Sequence, residues 1–496
     1  MTGAATPEPP VEGPRTRLGR LGDFFDKRLG LARLARAALD KIFPDQWSFL
    51  LGEIALYSFV ILVGTGIFLA LFFTAGQTTV TYDGSYAPLQ GVEMSAAYQS
   101  ALDLSFDVRA GLFFRQMHHW AALIFMAAII VHMMRVFFTG AFRRPREINW
   151  VIGLSLFLLA FANGFAGYSL LDDQLSGTGL RIGNAAVISI PLVGTWIGSF
   201  LFGGDFPGDA IIGRLYSLHI LVIPLLIAVL LAAHLTILIR HKHTHFPGKG
   251  ARDDNVVGQR LWPTYTAKAL GLFFITAGVL ALMAGLLQIN PIWLYGPFDI
   301  ANVSSASQPD WYVGWLEGAL RVMPNWTLSI FGYEIPNPFW GGVLLPGVTF
   351  SILYAWPWIE ARLSGDRREH HVLDRPRDRP LRTALGVAVL VFYTVLGLAG
   401  ADDVIAVAFG LSLNAWVWAL RVGCIVLPIA SAFITFRVCK ELQLRDGPAP
   451  ATGQRAPGGV TPAGDAGGDE AASSDPVPGP AVEPLERLDE AKTPVP

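Results

Sequence analysis

Long apolar runs alternate with shorter polar links along the chain. A helix needs roughly 20 apolar residues to cross a hydrocarbon core about 30 Å thick. Eight stretches meet that length: 49–73, 116–138, 150–171, 216–239, 265–287, 339–359, 381–400 and 413–436. A ninth, 185–202, is apolar but contains Pro191, Gly194 and Gly198, which make it a poor spanning helix. The pattern predicts an all-α fold, a polytopic membrane bundle of eight transmembrane helices.

Charge placement supports eight rather than nine. Basic residues crowd the leader (Arg15, Arg17, Arg20, Lys27, Arg28) and the link between the second and third stretches (Arg143, Arg144, Arg146). They recur after the fourth (Arg240, Lys242, Arg252) and after the sixth (Arg362, Arg367, Arg368, Arg375). With eight spans all of these fall on one side, as the positive-inside rule requires. A span at 185–202 would put the last two clusters outside. Both termini are therefore expected to be cytoplasmic, with linkers 76–115, 172–215, 288–338 and 401–412 facing outward. The first apolar run starts too late, and is too long, for a cleaved signal.

Composition narrows the picture further. Of 496 residues, 52% are hydrophobic and 15% charged, where soluble domains carry about a quarter charged residues. The net charge of −2 gives no reason to expect a nucleic-acid partner. Cys424 and Cys439 are the two cysteines and neither lies in a Cys-x-x-Cys-His run, which argues against c-type haem, iron-sulfur clusters and a disulfide framework. Stretch 21–39 mixes Leu and Phe with basic residues at helical spacing, the pattern of a helix lying among lipid headgroups. From 447 to 496 the chain is rich in Pro, Ala, Gly and acid and lacks aromatics, which predicts disorder.

Ionisable side chains inside membrane spans are costly and usually functional. The second span carries His118, His119 and His132, and the fourth His219 and His234. His118 to His132 is 14 residues and His219 to His234 is 15, about 21 to 22 Å along a helix axis. Those offsets keep both residues of a helix within about 40 to 60° of one face. Both spans run in the same direction, so His118 and His219 share the outer level while His132 and His234 share the inner one. Each level offers two imidazoles to one haem iron, a bis-histidine electron-transfer centre with no open position.

Glycines repeat the rise. Gly52 and Gly66 in the first span, and Gly153 and Gly167 in the third, are each 14 apart. A flat macrocycle wedged between helices needs backbone without side chains where its edge approaches. The 14-residue match favours His118 over His119 as the ligand. It also puts Arg115 on the same face, where it can meet a haem propionate.

At this point the chain resembles the cytochrome b subunit of quinol-cytochrome c reductases. The segment RQMHHWAALIFMAAIIVHMMR resembles that family's arginine-x-x-histidine with a second histidine 14 residues on, and RLYSLHILVIPLLIAVLLAAH its two-ligand helix around an internal proline, here Pro224. The 15-residue interval resembles the plastoquinol-oxidising branch. Pro309-Asp310-Trp311-Tyr312 matches a family loop in which glutamate usually takes the second position. Actinobacterial menaquinol enzymes are similar in this respect and in their polar tails. The resemblance covers about 47 to 440.

The resemblance implies two non-covalent b-type haems and a quinone/quinol substrate. Quinol oxidised near the outer haem would give one electron to a Rieske iron-sulfur subunit. The other would cross through both haems to a quinone at an inner site, coupled to proton translocation. It further implies a cytochrome c subunit, a homodimer, an assembly with cytochrome c oxidase, and residence in the plasma membrane among lipids. Asp310 and Tyr312 would serve as proton acceptor and hydrogen-bonding group, with Pro309, Trp311 and Tyr168 as further quinol contacts. The alternative for Asp310 is capping of a helix that opens at Trp311.

Two departures stand out. After Gly167-Tyr168 the chain reads Ser169, Leu170, Leu171, Asp172, Asp173 where a proline-tryptophan pair is expected. The two aspartates are either part of a proton exit or a solvated helix end. The segment LWPTYTAKAL puts Lys268 at the inner quinone site, but Ala269 replaces the acid that commonly follows. Proton delivery there falls to another group, with His241, His243, His245, Asp253 and Asp254 as candidates.

The resulting organisation is a cytoplasmic leader (1–46), a di-haem four-helix bundle (47–264), a C-terminal four-helix part carrying the quinol loop (265–440) and a tail (441–496). Two rival functions remain: a bis-histidine haem subunit of a dehydrogenase, and a proton-coupled transporter. The Pro-Asp-Trp-Tyr loop disfavours the first. The two separate histidine levels disfavour the second, whose site would gather near the midplane.

Overall fold

A computed structural model describes residues 16–30, 39–302 and 308–446. Among them, eight helices are long and apolar enough to cross a membrane: Trp47–Ala70, Gly111–Thr139, Glu147–Ser169, Ile211–His241, Leu261–Leu286, Trp340–Ser364, Pro380–Gly400 and Leu413–Arg445. Each overlaps one of the eight apolar stretches, and the chain is a multi-pass helical membrane protein. The 185–202 stretch is divided between two helices, Gln174–Ile188 and Gly194–Phe202. They part around Pro191 and Leu192, the latter at φ +67°, so the segment forms a bent pair within the linker.

The tail expected to be disordered, 447–496, lies outside the described residues, as do 31–38 of the amphipathic leader. The described part of that leader is the helix Arg17–Leu29, capped by the Thr16 hydroxyl, which accepts from the Gly19 N–H at 3.1 Å. Phe24, Phe25 and Leu29 are exposed, and the Arg28 guanidinium sits 3.7 Å over the Phe24 ring. An uncovered apolar stripe edged with cations suits a helix lying in a headgroup layer.

The first span packs on the second, the third on the fourth and the seventh on the eighth, while the fifth lies against the first two. The fourth span is not a uniform α-helix. Leu218–Val222 makes a π turn directly before Pro224. Proline lacks an N–H and crowds the carbonyl four residues earlier, and widening the preceding turn relieves that crowding. A π turn is one extra residue wound into an α-helix. The 15-residue interval from His219 to His234 therefore advances along the axis about as far as the 14 residues from His118 to His132.

The basic linkers are more than solvated loops. Arg146 is buried and donates to the carbonyls of His370, His241 and Lys242. Arg382, also buried, pairs with Glu360 and Asp374 at 2.7 Å each. Two-residue strands Ile42–Phe43 and Gln259–Arg260 pair antiparallel and tie the leader to the start of the fifth span.

Candidate functional site

The two rings expected to share a level do face each other. His118 and His219 lie with centroids 6.0 Å apart and planes at 74°. His219 Nδ1 donates to the Asn163 carbonyl at 2.9 Å. His118 Nδ1 lies 2.9 Å from the Thr65 hydroxyl, which spends its own proton on the Ile61 carbonyl at 2.8 Å and so accepts from the imidazole. Both histidines are thereby held as the Nδ1–H tautomer, leaving Nε2 with a free lone pair. This is how metal-binding histidines are usually set, and a gap of that size admits two metal–nitrogen bonds of about 2 Å.

Each of the four glycines backs one of the four histidines. A β-carbon at Gly52 would lie 3.2 Å from His132 Cε1, at Gly66 3.3 Å from His118 Cε1, at Gly153 3.5 Å from His234 Cε1, and at Gly167 2.3 Å from His219 Cε1. At each position the missing side chain leaves room beside an imidazole. At the other level, Arg135 stands one turn past His132 with Nε and Nη2 buried and without a hydrogen-bond partner. Its guanidinium lies 3.9 Å over the Phe49 ring. A cation with two buried, unpartnered N–H groups near His132 fits an anionic group such as a haem propionate. Arg115 is buried too, but Nη1 and Nη2 both donate to the Asn290 carbonyl at 3.2 Å.

His119 has a different partner. Its Nε2 lies 2.8 Å from Asp310 Oδ1, with both side chains largely buried. Asp310 does not cap a helix at Trp311. The helix opens at Gly314, and residues 310–313 form a turn closed by the Val313 N–H on the Asp310 carbonyl at 2.8 Å.

Two cavities meet at this loop. One, of about 510 Å³, is lined by Gly66, Arg115, His118, Asn163 and His219. The other, of about 390 Å³, is lined mostly by apolar side chains such as Phe161, Phe165, Ile182 and Leu316. Tyr168, Asp310 and Tyr312 line both. Pro309 lines the apolar cavity, whereas Trp311 is exposed. Tyr168 Oη is buried without a partner. Burial and the adjacent Asp310 carboxylate hold the Tyr312 phenol well above its ordinary range, so it stays a donor at any physiological pH.

Asp173 is neither solvated nor at a frayed end. It is fully buried and caps the helix Gln174–Ile188, its carboxylate accepting from the Leu175 and Ser176 N–H groups at 3.0 and 3.2 Å. Asp172 beside it takes φ +53°. Lys268 meets Asp45 of the leader, Nζ lying 2.9 and 2.8 Å from the two carboxylate oxygens. Among the inner candidates, His245 and Asp253 serve structure: the first bonds the Arg252 carbonyl at 3.0 Å, and the second accepts from the His371 and Val372 N–H groups at 2.8 Å.

Sequence reasoning missed Glu317. It lines the apolar cavity, its Oε2 buried and unpartnered, while its other oxygen pairs with Arg321, which also holds Asp402 and Asp403. Burial pushes its carboxyl up. An acid inside the apolar run VGWLEGAL, seven residues after Asp310, is a signal that was present. Thr65 and Asn163 carried none, being ordinary polar residues of membrane helices.

A family model described as cytochrome b (N-terminal)/b6/petB matches residues 123–297. The cytochrome bc1 complex cytochrome b subunit of Corynebacterium efficiens is 52% identical over 430 residues, covering 87% of this chain and 79% of that one. Those of Streptomyces coelicolor, 51% over 431 residues, and Mycobacterium tuberculosis, 52% over 430, each cover 86% of this chain and 78% of theirs. A solved structure titled hyperthermophilic respiratory Complex III shares the fold, with a TM-score of 0.62 at 20% identity over 84% of this chain and 98% of that one.

Proposed function

This chain belongs to the cytochrome b subunits of cytochrome bc1 complexes, haem-binding membrane proteins of the respiratory electron-transport chain, and on that premise we propose how its residues divide the work. His118 with His219, and His132 with His234, each hold one b-type haem, with Arg135 directed to a propionate at the second level. Haem bound at both levels supplies one-electron transfer between the two faces of the membrane. Menaquinol binds in the apolar cavity and its two electrons part there, one to a Rieske iron-sulfur partner and one toward the His118 level. A cytochrome c subunit, a second copy of the chain and a cytochrome c oxidase complete the assembly, in a plasma membrane with both termini cytoplasmic. The first four spans, within 47–264, make the di-haem part, and 265–440 supplies the quinol loop and the fifth span with Lys268.

The observation that carries the reading is the wall of Tyr168, Asp310 and Tyr312 common to the two cavities. Quinol loses two protons with its two electrons; one must go to a group in the otherwise apolar pocket, and the other leaves with the electron taken by the Rieske partner, whose cluster carries histidine ligands. Asp310 accepts one at its carboxylate, held toward the pocket wall by His119, and a positioned acceptor of this kind contributes about 10²–10⁴-fold. Tyr312 donates to a quinol oxygen through its phenol and fixes the ring. Apolar side chains on the remaining sides exclude water.

The test is a reduced-minus-oxidised optical spectrum of the purified complex, followed by menaquinol oxidation with and without a quinol-site inhibitor. Two b-type centres and inhibitor-sensitive reduction of cytochrome c are expected. A single centre, or quinol oxidation indifferent to the inhibitor, overturns the reading.

A further inference from the structure

We infer that Asp45, from the segment before the first span, supplies the carboxylate missing at Ala269: it holds Lys268 toward an inner quinone and re-protonates it. The inference rests on the reading above of Lys268 as a quinone contact.

Lys268 Nζ is gripped by both oxygens of Asp45, at 2.9 and 2.8 Å, and the same carboxylate accepts from Gln259 Nε2 at 2.6 Å. Three elements fix this meeting. The pairing of Ile42–Phe43 with Gln259–Arg260 leaves Asp45 two residues beyond one strand, with Gln259 in the other, and Lys268 follows within the fifth span. The two side chains are 48% and 44% exposed. Half-exposed ion pairs contribute little to stability, so stability alone gives weak reason for so constrained an arrangement. Its exposure does give it direct exchange with water.

A polar line runs inward from the pair. Tyr265, one turn before Lys268 on the same helix face, is buried and donates its phenol to Glu53, and Tyr57 donates to the other Glu53 oxygen at 3.2 Å. Glu53 follows Gly52, which backs the His132 ring. The charged groups around Asp45 are otherwise engaged. Lys41 Nζ donates to the Ile239 carbonyl at 2.8 Å and Arg260 lies 3.7 Å from Asp40. His243 stacks on Phe43, whose other neighbour is Tyr265. Lys268 is thus the ammonium that faces Asp45 directly.

Quinone becomes quinol by taking two electrons, delivered from the His132 level in the reading above, and two protons. As a carbonyl oxygen gains charge, its O–H bond forms while an Nζ–H bond of Lys268 breaks. The Asp45 carboxylate then takes a proton from the water it faces and passes it to the neutral amine of Lys268. One proton enters the quinone per cycle of the pair, and the ion pair is restored.

The experiment uses the intact complex with the quinol-oxidising site blocked by an inhibitor of that site. Menaquinol is added, and reduction of the inner b haem through the inner site is followed by stopped flow from pH 6 to 9. Asp45→Asn should slow this reduction at least about tenfold and flatten its pH profile, with haem content unchanged. Asp45→Glu should restore rate and profile. The inference is overturned if Asp45→Asn keeps the wild-type rate and profile, or if Asp45→Glu is as slow as Asp45→Asn. Lys268→Met separates the two layers: a slow Lys268→Met beside a normal Asp45→Asn removes only the role of Asp45. A normal Lys268→Met removes the inner-site reading itself.

Discussion

Gly167 stands so close to His219 that any β-carbon there would lie 2.3 Å from Cε1 of the imidazole. The same construction at Gly52 and Gly66 gives 3.2 and 3.3 Å, and at Gly153 3.5 Å, an ordinary van der Waals separation. The four glycines are therefore unequal. Gly167→Ala should displace His219 and lose one of the two b haems, measured as the haem-to-protein ratio and the amplitude of the spectrum. Gly52→Ala and Gly66→Ala should weaken binding in part, and Gly153→Ala should leave both haems. Equal losses at all four would sink this ordering.

The neighbours His118 and His119 should separate cleanly. On the proposed ligation, His118→Gln removes a ligand and should abolish one haem signal. His119→Gln should keep both haems and slow quinol oxidation about tenfold by releasing the Asp310 carboxylate, while Asp310→Asn should slow it about 100-fold. Steady-state cytochrome c reduction on haem-replete complex is the measurement; a haem-deficient His119→Gln would exchange the two roles.

Thr65 accepts the Nδ1 proton of His118 and so makes its ligating nitrogen more electron-donating. Thr65→Val removes that hydrogen bond, worth about 1 kcal/mol, or about 40 mV for a one-electron couple. Only the part of it that differs between the oxidised and reduced states moves the midpoint, so a redox titration should find the haem at this level raised by up to that amount, with the other unmoved.

Burial pushes the Asp173 carboxyl up to about 6. Between its ordinary value and 6 the folded chain holds a proton that the unfolded chain has lost. Stability therefore falls as pH rises through this window. Asp173→Asn keeps an N-cap acceptor without the buried charge. Its thermal unfolding temperature in detergent should match the wild type near pH 4 and exceed it at pH 8. A wild-type advantage at pH 8 would reverse the sign.

The spans were legible because apolar length is a local property, and the ninth stretch was rejected on charge and on its breaking residues. The histidine and glycine ladder was legible because a helix converts sequence interval into height. What escaped was pairing across the chain. His119 meets Asp310 across 191 residues and Lys268 meets Asp45 across 223; no periodicity encodes either. Asp173 was read from its polarity, but its environment is set by the helix it caps and the linker folded over it. The buried Arg146 escaped similarly: its charge entered the topology, while its carbonyl partners come from distant segments.

The π turn at Leu218–Val222 accounts for the unequal intervals in the two histidine-bearing helices. The added residue goes into girth instead of length, so a protein without it would seat its two rings at unchanged altitudes. Insertion or loss of one amino acid at this spot would consequently be a silent edit to the proposed electron path, and counting residues between the two histidines overstates how far apart their levels stand.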